Sequence, residues 1–363
     1  MKIFGTMRGL VLAVALLMGM LLTACGGAAP AAAPAAPAAE APAATEAPAA
    51  EAPAATEAPA AEEPAASEEA APEAAAEGGE VTITHAQGET TVAKNPSKVI
   101  VFDYSIIDTI TQLGAGDSIV AIPQGASTPT FLAQYLEAPV QNAGTLFEPD
   151  YEKVNELQPE LIIVAGRSAA VYPELAKIAP TIDLSINQKD FLTSFKFNVE
   201  TLASIYGKEA EATEKLAAID ASIESVKAKA SESGLTSLIL MTSGGKVNAY
   251  GPGSRFGIIH DVLGVAPSTN ADEITEATHG DAISYEFIQE KNPGILFVVD
   301  RDLATGGTTE TPAATLLDNE LVNATDAAKN GKIIYLDPAI WYVANSGLGT
   351  VAESISEVAA AFE

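Results

Sequence analysis

The sequence predicts an α/β protein of two lobes joined by a single long helix. Three observations carry that prediction. Short apolar runs of strand length alternate with helical patterns on both sides of the chain's middle. Between them, residues 190–232 place apolar side chains at three- and four-residue spacing without proline. One helix–strand pattern then occurs twice, once on each side of that helix.

The elements follow in order. Lys2 and Arg8 precede a mostly apolar run, Gly9 to Leu22, that is short for a membrane span and reads as an export signal. It ends in Leu22-Thr23-Ala24-Cys25-Gly26, which resembles the bacterial lipobox. Residues 1–25 are therefore expected to be a lipoprotein signal, with Cys25 lipidated and made the new N-terminus. Two or more acyl chains give stable anchoring where one is marginal. Residues 26–79 are alanine, proline and glutamate with no basic residue. Such a stretch has nothing bulky to bury, so a disordered, polyproline-biased tether is expected.

The first lobe is expected over 80–189. Val81 to Ala93 alternates around Gln87-Gly88 and reads as a hairpin. Strands are predicted at Lys98–Phe102, Ser118–Ile122, Glu160–Val164 and Thr181–Leu184. Helices are predicted at Ile106–Leu113, Tyr151–Leu157 and Pro173–Ile178. The connecting helix spans 190–232, and its one glycine, Gly207, is the place for a break. The second lobe, 233–363, is predicted to hold strands at Ser237–Met241, Lys246–Tyr250, Gly294–Val299 and Lys332–Leu336. A last helix runs from Leu348 to Phe362.

The repeat joins Tyr151 to Arg167, YEKVNELQPELIIVAGR, with Tyr285 to Arg301, YEFIQEKNPGILFVVDR. Aligned without a gap, they share Tyr, Glu, Glu, Pro, Val and Arg. Each is a helix, a turn at proline, a buried strand and an arginine where the strand ends.

Composition removes several functions. A net charge of −29 leaves no basic stripe to neutralise nucleic-acid phosphates. A single cysteine excludes an internal disulfide and a cysteine-built metal cluster. No nucleophile elbow, P-loop or His-Glu-x-x-His appears, and three histidines are few for acid–base machinery, so an enzyme is not expected.

The arginines are the most informative residues. Apart from Arg8 they are Arg167, Arg255 and Arg301, and every other cation beyond the signal is lysine. Arg167 and Arg301 follow the carboxyl ends of apolar strands, and Arg255 lies in the turn Gly251-Pro252-Gly253-Ser254-Arg255-Phe256. Strand carboxyl ends are where open α/β sheets bind ligands. Arginine brings a planar fork, a permanent charge and a face that stacks on rings.

From about Asn95 onward the chain resembles the class III solute-binding proteins of ABC importers, and within them the branch that binds ferric catecholate siderophores. The resemblance is carried by NPSKVIVFDYSIIDTITQLG, EPDYEKVNELQPELIIVAGR, YGPGSRFGIIHDVLG, THGDAISYEFIQEKNPGILFVVDRD and IIYLDPAIWYVANSG. It implies two α/β lobes, one connecting helix and a ligand in the cleft between the lobes. It also implies an exported protein, lipid-anchored to the outer face of the cytoplasmic membrane. Such a protein acts as a monomer and delivers its cargo to a permease and its ATPase. No intrinsic cofactor is implied; the ferric siderophore is cargo. The alternative within the same fold is haem or cobalamin.

The resemblance also assigns residues. Arg167, Arg255 and Arg301 match cleft arginines that meet catecholate oxygens. His279, in Thr278-His279-Gly280, and Tyr342, after Trp341, match residues that complete the iron's shell when the siderophore supplies too few donors. Tyr104 and Trp341 are expected to contact ligand. Glu152 and Glu286, second in each repeat, match one docking glutamate per lobe that meets permease arginines.

Overall fold

A computed structural model of the chain describes residues 79–363, apart from 138, 276–277 and 308–310. Cys25 and the alanine–proline–glutamate segment lie outside the described residues. The structure opens with a hairpin, β1 (Glu80–His85) and β2 (Gly88–Ala93). It sits on the edge of the first sheet: Gln87 Nε2 donates to Asp183 at 2.8 Å, and Thr90 Oγ1 to the Thr181 carbonyl at 3.1 Å.

The first sheet comprises β3 (Val99–Val101), β4 (Ile119–Ile122), β5 (Gln141–Asn142), β6 (Leu161–Val164) and β7 (Thr181–Asp183). It is wholly parallel, in the order β5-β4-β3-β6-β7. Crossovers are made by α1 (Tyr104–Gln112), α2 (Tyr151–Leu157) and the short α3 (Tyr172–Leu175). Because successive strand residues face opposite sides, Ile100, Ile162 and Val164 pack outward with Val154 and Leu175. Val99, Val101, Leu161 and Ile163 pack inward.

Residues 190–232 form two helices rather than one, α4 (Phe191–Tyr206) and α5 (Glu209–Ser233). Gly207, at φ 61°, ends the first in a left-handed cap that glycine adopts without cost. At 1.5 Å per residue α5 is about 37 Å long, enough to cross from one lobe to the other. Its Ala212, Leu216, Ile219, Ile223, Val226 and Ala230 are buried at helical spacing, one stripe facing the core.

The second sheet comprises β8 (Thr236–Ser243), β9 (Lys246–Tyr250), β10 (Ala266–Pro267), β11 (Asp281–Ala282), β12 (Ile295–Asp300) and β13 (Ile333–Tyr335). Its order is β11-β9-β8-β12-β13, with β10 beside the start of β8. It is mixed, because β8 and β9 form a hairpin through Gly244-Gly245, both at positive φ. Helix α6 (Tyr285–Lys291) leads into β12. The short helices α7 (Arg301–Ala304), α8 (Ala313–Leu317), α9 (Glu320–Asn323) and α10 (Asp326–Lys329) follow it. Residues of α8, α9 and α10 pack with Leu238, Leu240, Leu296 and Val298 on the sheet's outer face.

The last helix, α11 (Leu348–Ala360), leaves the second sheet and packs on α5 and α1. The inner faces of both sheets therefore share one continuous core with α4, α5 and α11. The two copies of the repeat fold alike. Helices α2 and α6 each end in a left-handed residue, Gln158 at φ 48° and Asn292 at φ 40°, before the shared proline.

Candidate ligand-binding cleft

Each arginine is placed by a strand end or turn. Arg167 follows β6 in a 3₁₀ turn pinned by Ser168, whose Oγ donates to the Phe102 carbonyl at 2.9 Å and accepts from Ala165 N at 3.1 Å. Arg301 opens α7, where the Asp300 carboxylate accepts from Asp302 N, Leu303 N and Ala313 N. Asp300 is thus turned to these backbone donors and makes no ion pair with Arg301. Arg255 sits in the turn after β9, which Asp261 closes by accepting from Gly253 N at 2.6 Å.

All three guanidinium groups converge on Tyr342. Their carbons lie 4.3 Å (Arg255), 5.4 Å (Arg167) and 5.5 Å (Arg301) from its ring centroid. Arg301 Nε donates to the phenol oxygen at 2.8 Å, and its Nη1 to Ser243 Oγ at 3.1 Å. Arg167 donates to the carbonyls of Tyr342 (2.5 Å) and Val343 (3.2 Å), and Arg255 to that of Tyr342 (3.1 Å). Among the described residues every ion pair uses lysine, and none uses these arginines. Arg255 Nε is buried and has no acceptor among them.

The result is a concentrated positive field inside an acidic protein. Burial, and then the charge of Arg167, push the Arg255 guanidinium below its ordinary pKa. Burial alone would raise the Tyr342 phenol. The hydrogen bond from Arg301 and the charges of Arg255, Arg301 and Arg167 outweigh it, so the phenol lies below its usual value. On the first-lobe side, burial raises the Asp103 carboxyl, opposed by the Arg167 charge and by backbone donors of α1.

Tyr342 stands between two hollows. One, of about 540 Å³, is lined by Asp103, Arg167, Asn187, Arg255 and Tyr342 among others. The other, of about 520 Å³, is lined by Ser243, Arg255, His279, Arg301 and Tyr342 among others. His279 reaches the second through its turn. A Cβ on Gly280, at φ 71°, would lie 2.7 Å from the Tyr250 ring and from the Ala249 carbonyl, so only glycine lets Thr278-His279-Gly280 pass there. Among the described residues no group of three or more His, Cys, Asp or Glu could hold a metal ion.

Two of the expected contacts lie beneath the cleft surface. Trp341 is 1 % exposed and faces the core, donating from Nε1 to Glu357 at 2.5 Å; its neighbour Tyr342 takes the cleft position. Tyr104 is 2 % exposed, with its hydroxyl at Thr128 Oγ1 (3.2 Å) and the Pro123 carbonyl (3.4 Å). Asp103 and Ser105, on either side of it, line the cleft instead. Asp103 was missed although it carries the same signal as the arginines, a polar residue just past an apolar strand. Glu152 and Glu286 both lie exposed in the first turns of α2 and α6.

Two sheet-and-helix lobes around a charged cleft define a protein that encloses a solute. Residues 99–340 match the family described as Periplasmic binding protein, and the chain belongs to that family, whose members bind and do not catalyse. Among its relatives is the petrobactin-binding protein YclQ of Bacillus subtilis, 41% identical over 281 residues, covering 77% of this chain and 87% of that one. The solved structure of YclQ has a TM-score of 0.75 and covers 78% of this chain and 99% of its own. The ferric-anguibactin-binding protein FatB of Vibrio anguillarum is 32% identical over 283 residues, 77% of this chain and 86% of its own. The structure of VctP, a periplasmic catecholate-siderophore binding protein of Vibrio cholerae, is 34% identical with a TM-score of 0.72. It covers 78% of this chain and 100% of its own.

Proposed function

We propose that this protein is the solute-binding component of an ABC importer, and that it captures a ferric siderophore of catecholate type and delivers it to the membrane permease. The observation that carries this reading is the convergence of Arg167, Arg255 and Arg301 on one cleft, none of them in an ion pair among the described residues. A catecholate shell around Fe(III) is anionic, with its charge spread over aromatic rings. Guanidinium groups can donate to its oxygens and lie against its rings. The acidic body repels such an anion at long range, but screening over about 8 Å at physiological salt leaves the local field dominant. The similar proteins named above bind petrobactin, ferric anguibactin and catecholate siderophores.

Tyr342 and His279 supply a phenol and an imidazole at the same cleft. When a siderophore fills fewer than all the iron's positions, these two complete the shell. Cys25 anchors the chain to the outer face of the cytoplasmic membrane, and the segment 26–79 gives the lobes reach. Cys25→Ala is expected to release the protein from membranes with ligand affinity unchanged. Glu152 and Glu286, one per lobe and equivalently placed, dock against basic residues of the permease.

The test is a fluorescence titration of the full chain, carrying Cys25→Ala for solubility, with a ferric catecholate, a ferric hydroxamate, haem and cobalamin. The catecholate is expected to bind tightest, by at least about tenfold. Tighter binding of haem or cobalamin would assign the cleft to that cargo instead.

A further inference from the structure

Tyr342 is held from both sides by contacts that end on one helix. On its N-terminal side, Trp341 is tied to Glu357 of α11. On its C-terminal side, only residues 343–347 separate it from the start of α11. The position of α11 therefore fixes the short strap that carries the cleft tyrosine.

The N-cap residue of that helix, Gly347, has no side chain to accept from the first-turn N–H groups, and the helix's own Thr350 Oγ1 accepts only from Gly347 N, at 3.0 Å. The cap comes from the first lobe. Asp108 Oδ2 accepts from Gly349 N at 2.7 Å and Thr350 N at 3.1 Å. Thr109 Oγ1 accepts from Leu348 N at 3.1 Å, and Ser105 Oγ from Ser346 N at 3.2 Å. Ser105, Asp108 and Thr109 stand three and four residues apart, on one face of α1. Asp108 is 6 % exposed, so this carboxylate depends on these donors and on the positive end of the α11 dipole. The fit is close: a Cβ on Gly347 would collide with Asp108 Oδ2, and one on Gly349 would lie 2.8 Å from Asp108 Oδ1.

We infer that Asp108 is a positioning residue for ligand binding: from the first lobe it seats the start of α11 and so sets Tyr342 against Arg167. A local Asp or Ser at position 347 would be the ordinary cap, but its Cβ would meet Asp108 and lie 2.8 Å from the Ser105 carbonyl. Taking the cap from α1 adds what a local cap cannot, a fixed relation between the lobe that carries Arg167 and the strap whose carbonyls Arg167 grips. The affinity arm of the test rests on the function proposed above; the rest does not.

The chain's one tryptophan, Trp341, reports on the strap directly. Acrylamide quenching of Trp341, ferric catecholate affinity and melting temperature would be measured on the full chain. The variants are Asp108→Ala, Asp108→Asn and a control, Val199→Ala, which removes buried core volume on α4. Both alanine variants are expected to melt lower. Only Asp108→Ala is expected to open Trp341 to the quencher and to weaken binding, by about tenfold, the scale of a lost charge-assisted bond. Asp108→Asn, which keeps an acceptor for Gly349 N and Thr350 N, is expected to recover most of both. Quenching and affinity in Asp108→Ala that match the control would reduce Asp108 to a helix cap and overturn the inference. Should Asp108→Ala fail to fold, Thr109→Val, which loses the Leu348 contact and the bond to the Ser105 carbonyl within α1 but leaves Asp108 in place, is expected to show the same changes at smaller size; unchanged quenching there would equally overturn it. If the wild type binds no ferric complex, the function above falls, and the quenching result alone decides the anchorage of the strap.

Discussion

The two copies of the helix–strand repeat place an arginine at the same point of each lobe, yet the two arginines are bonded differently. Arg167 grips backbone, the carbonyls of Tyr342 and Val343. Arg301 grips side chains, the Tyr342 phenol and Ser243. The first-lobe arginine therefore holds the strap, while the second-lobe arginine tunes the phenol the strap presents. The strap leads from the second lobe to α1 of the first, presenting its carbonyls to Arg167 and the Tyr342 side chain to Arg301. Arg255, which has no counterpart in the repeat, fills the space between them at 4.3 Å from the ring. A duplicated pattern fixes where a residue stands, and the third element that crosses it decides the residue's work.

The comparison is open to experiment. The largest effect is expected where the lobes are equivalent. Replacing Glu152 and Glu286 together by Ala should lower uptake of ferric siderophore into cells about tenfold or more, with affinity and melting temperature nearly unchanged. Each single replacement should cost less. Normal uptake by the double variant at normal expression would place the docking surface elsewhere.

The next effect is expected where the lobes differ. Three cations hold the Tyr342 phenol below its ordinary pKa, and the largest of their effects is the hydrogen bond from Arg301 Nε, at 2.8 Å. Losing a cation that favours phenolate raises the pKa. In an ultraviolet titration Arg301→Ala should move this tyrosine upward, and Arg167→Ala should move it less. Equal movement would mean that charge alone, without the hydrogen bond, sets the phenol.

The smallest effect concerns the two left-handed caps. Gln158→Gly should raise stability by about 0.5–1 kcal/mol, because a side chain at positive φ is strained. Asn292→Gly should raise it by less, since asparagine tolerates this conformation better. Chemical denaturation would measure both, and a loss in either would show that the side chain makes contacts outweighing the strain.

Much of this arrangement was legible in the chain. The central strands β3, β4, β6 and β12 were readable because each is an apolar run with an abrupt end. The cleft arginines were readable because arginine is scarce and falls at those ends. What was not legible depends on neighbours distant in sequence. Trp341 and Tyr342 are adjacent on one helical turn, and Glu357 decides which of them faces inward. Likewise Asp103 and Ser105, not Tyr104, turn to the cleft. At its start α11 meets Ser105, Asp108 and Thr109 of the first lobe, more than two hundred residues away in the chain. The helices α7 to α10 are too short to show a period, and the two-residue strands β5, β10 and β11 show none.

The central claim is that three guanidinium groups, and not positive charge alone, recognise the cargo. Arg255→Lys tests it most directly, because it keeps the charge while removing the planar fork at the centre of the cleft. Titrated side by side with the wild type against one ferric catecholate, the variant should bind at least about tenfold more weakly. Equal affinity would contradict the account.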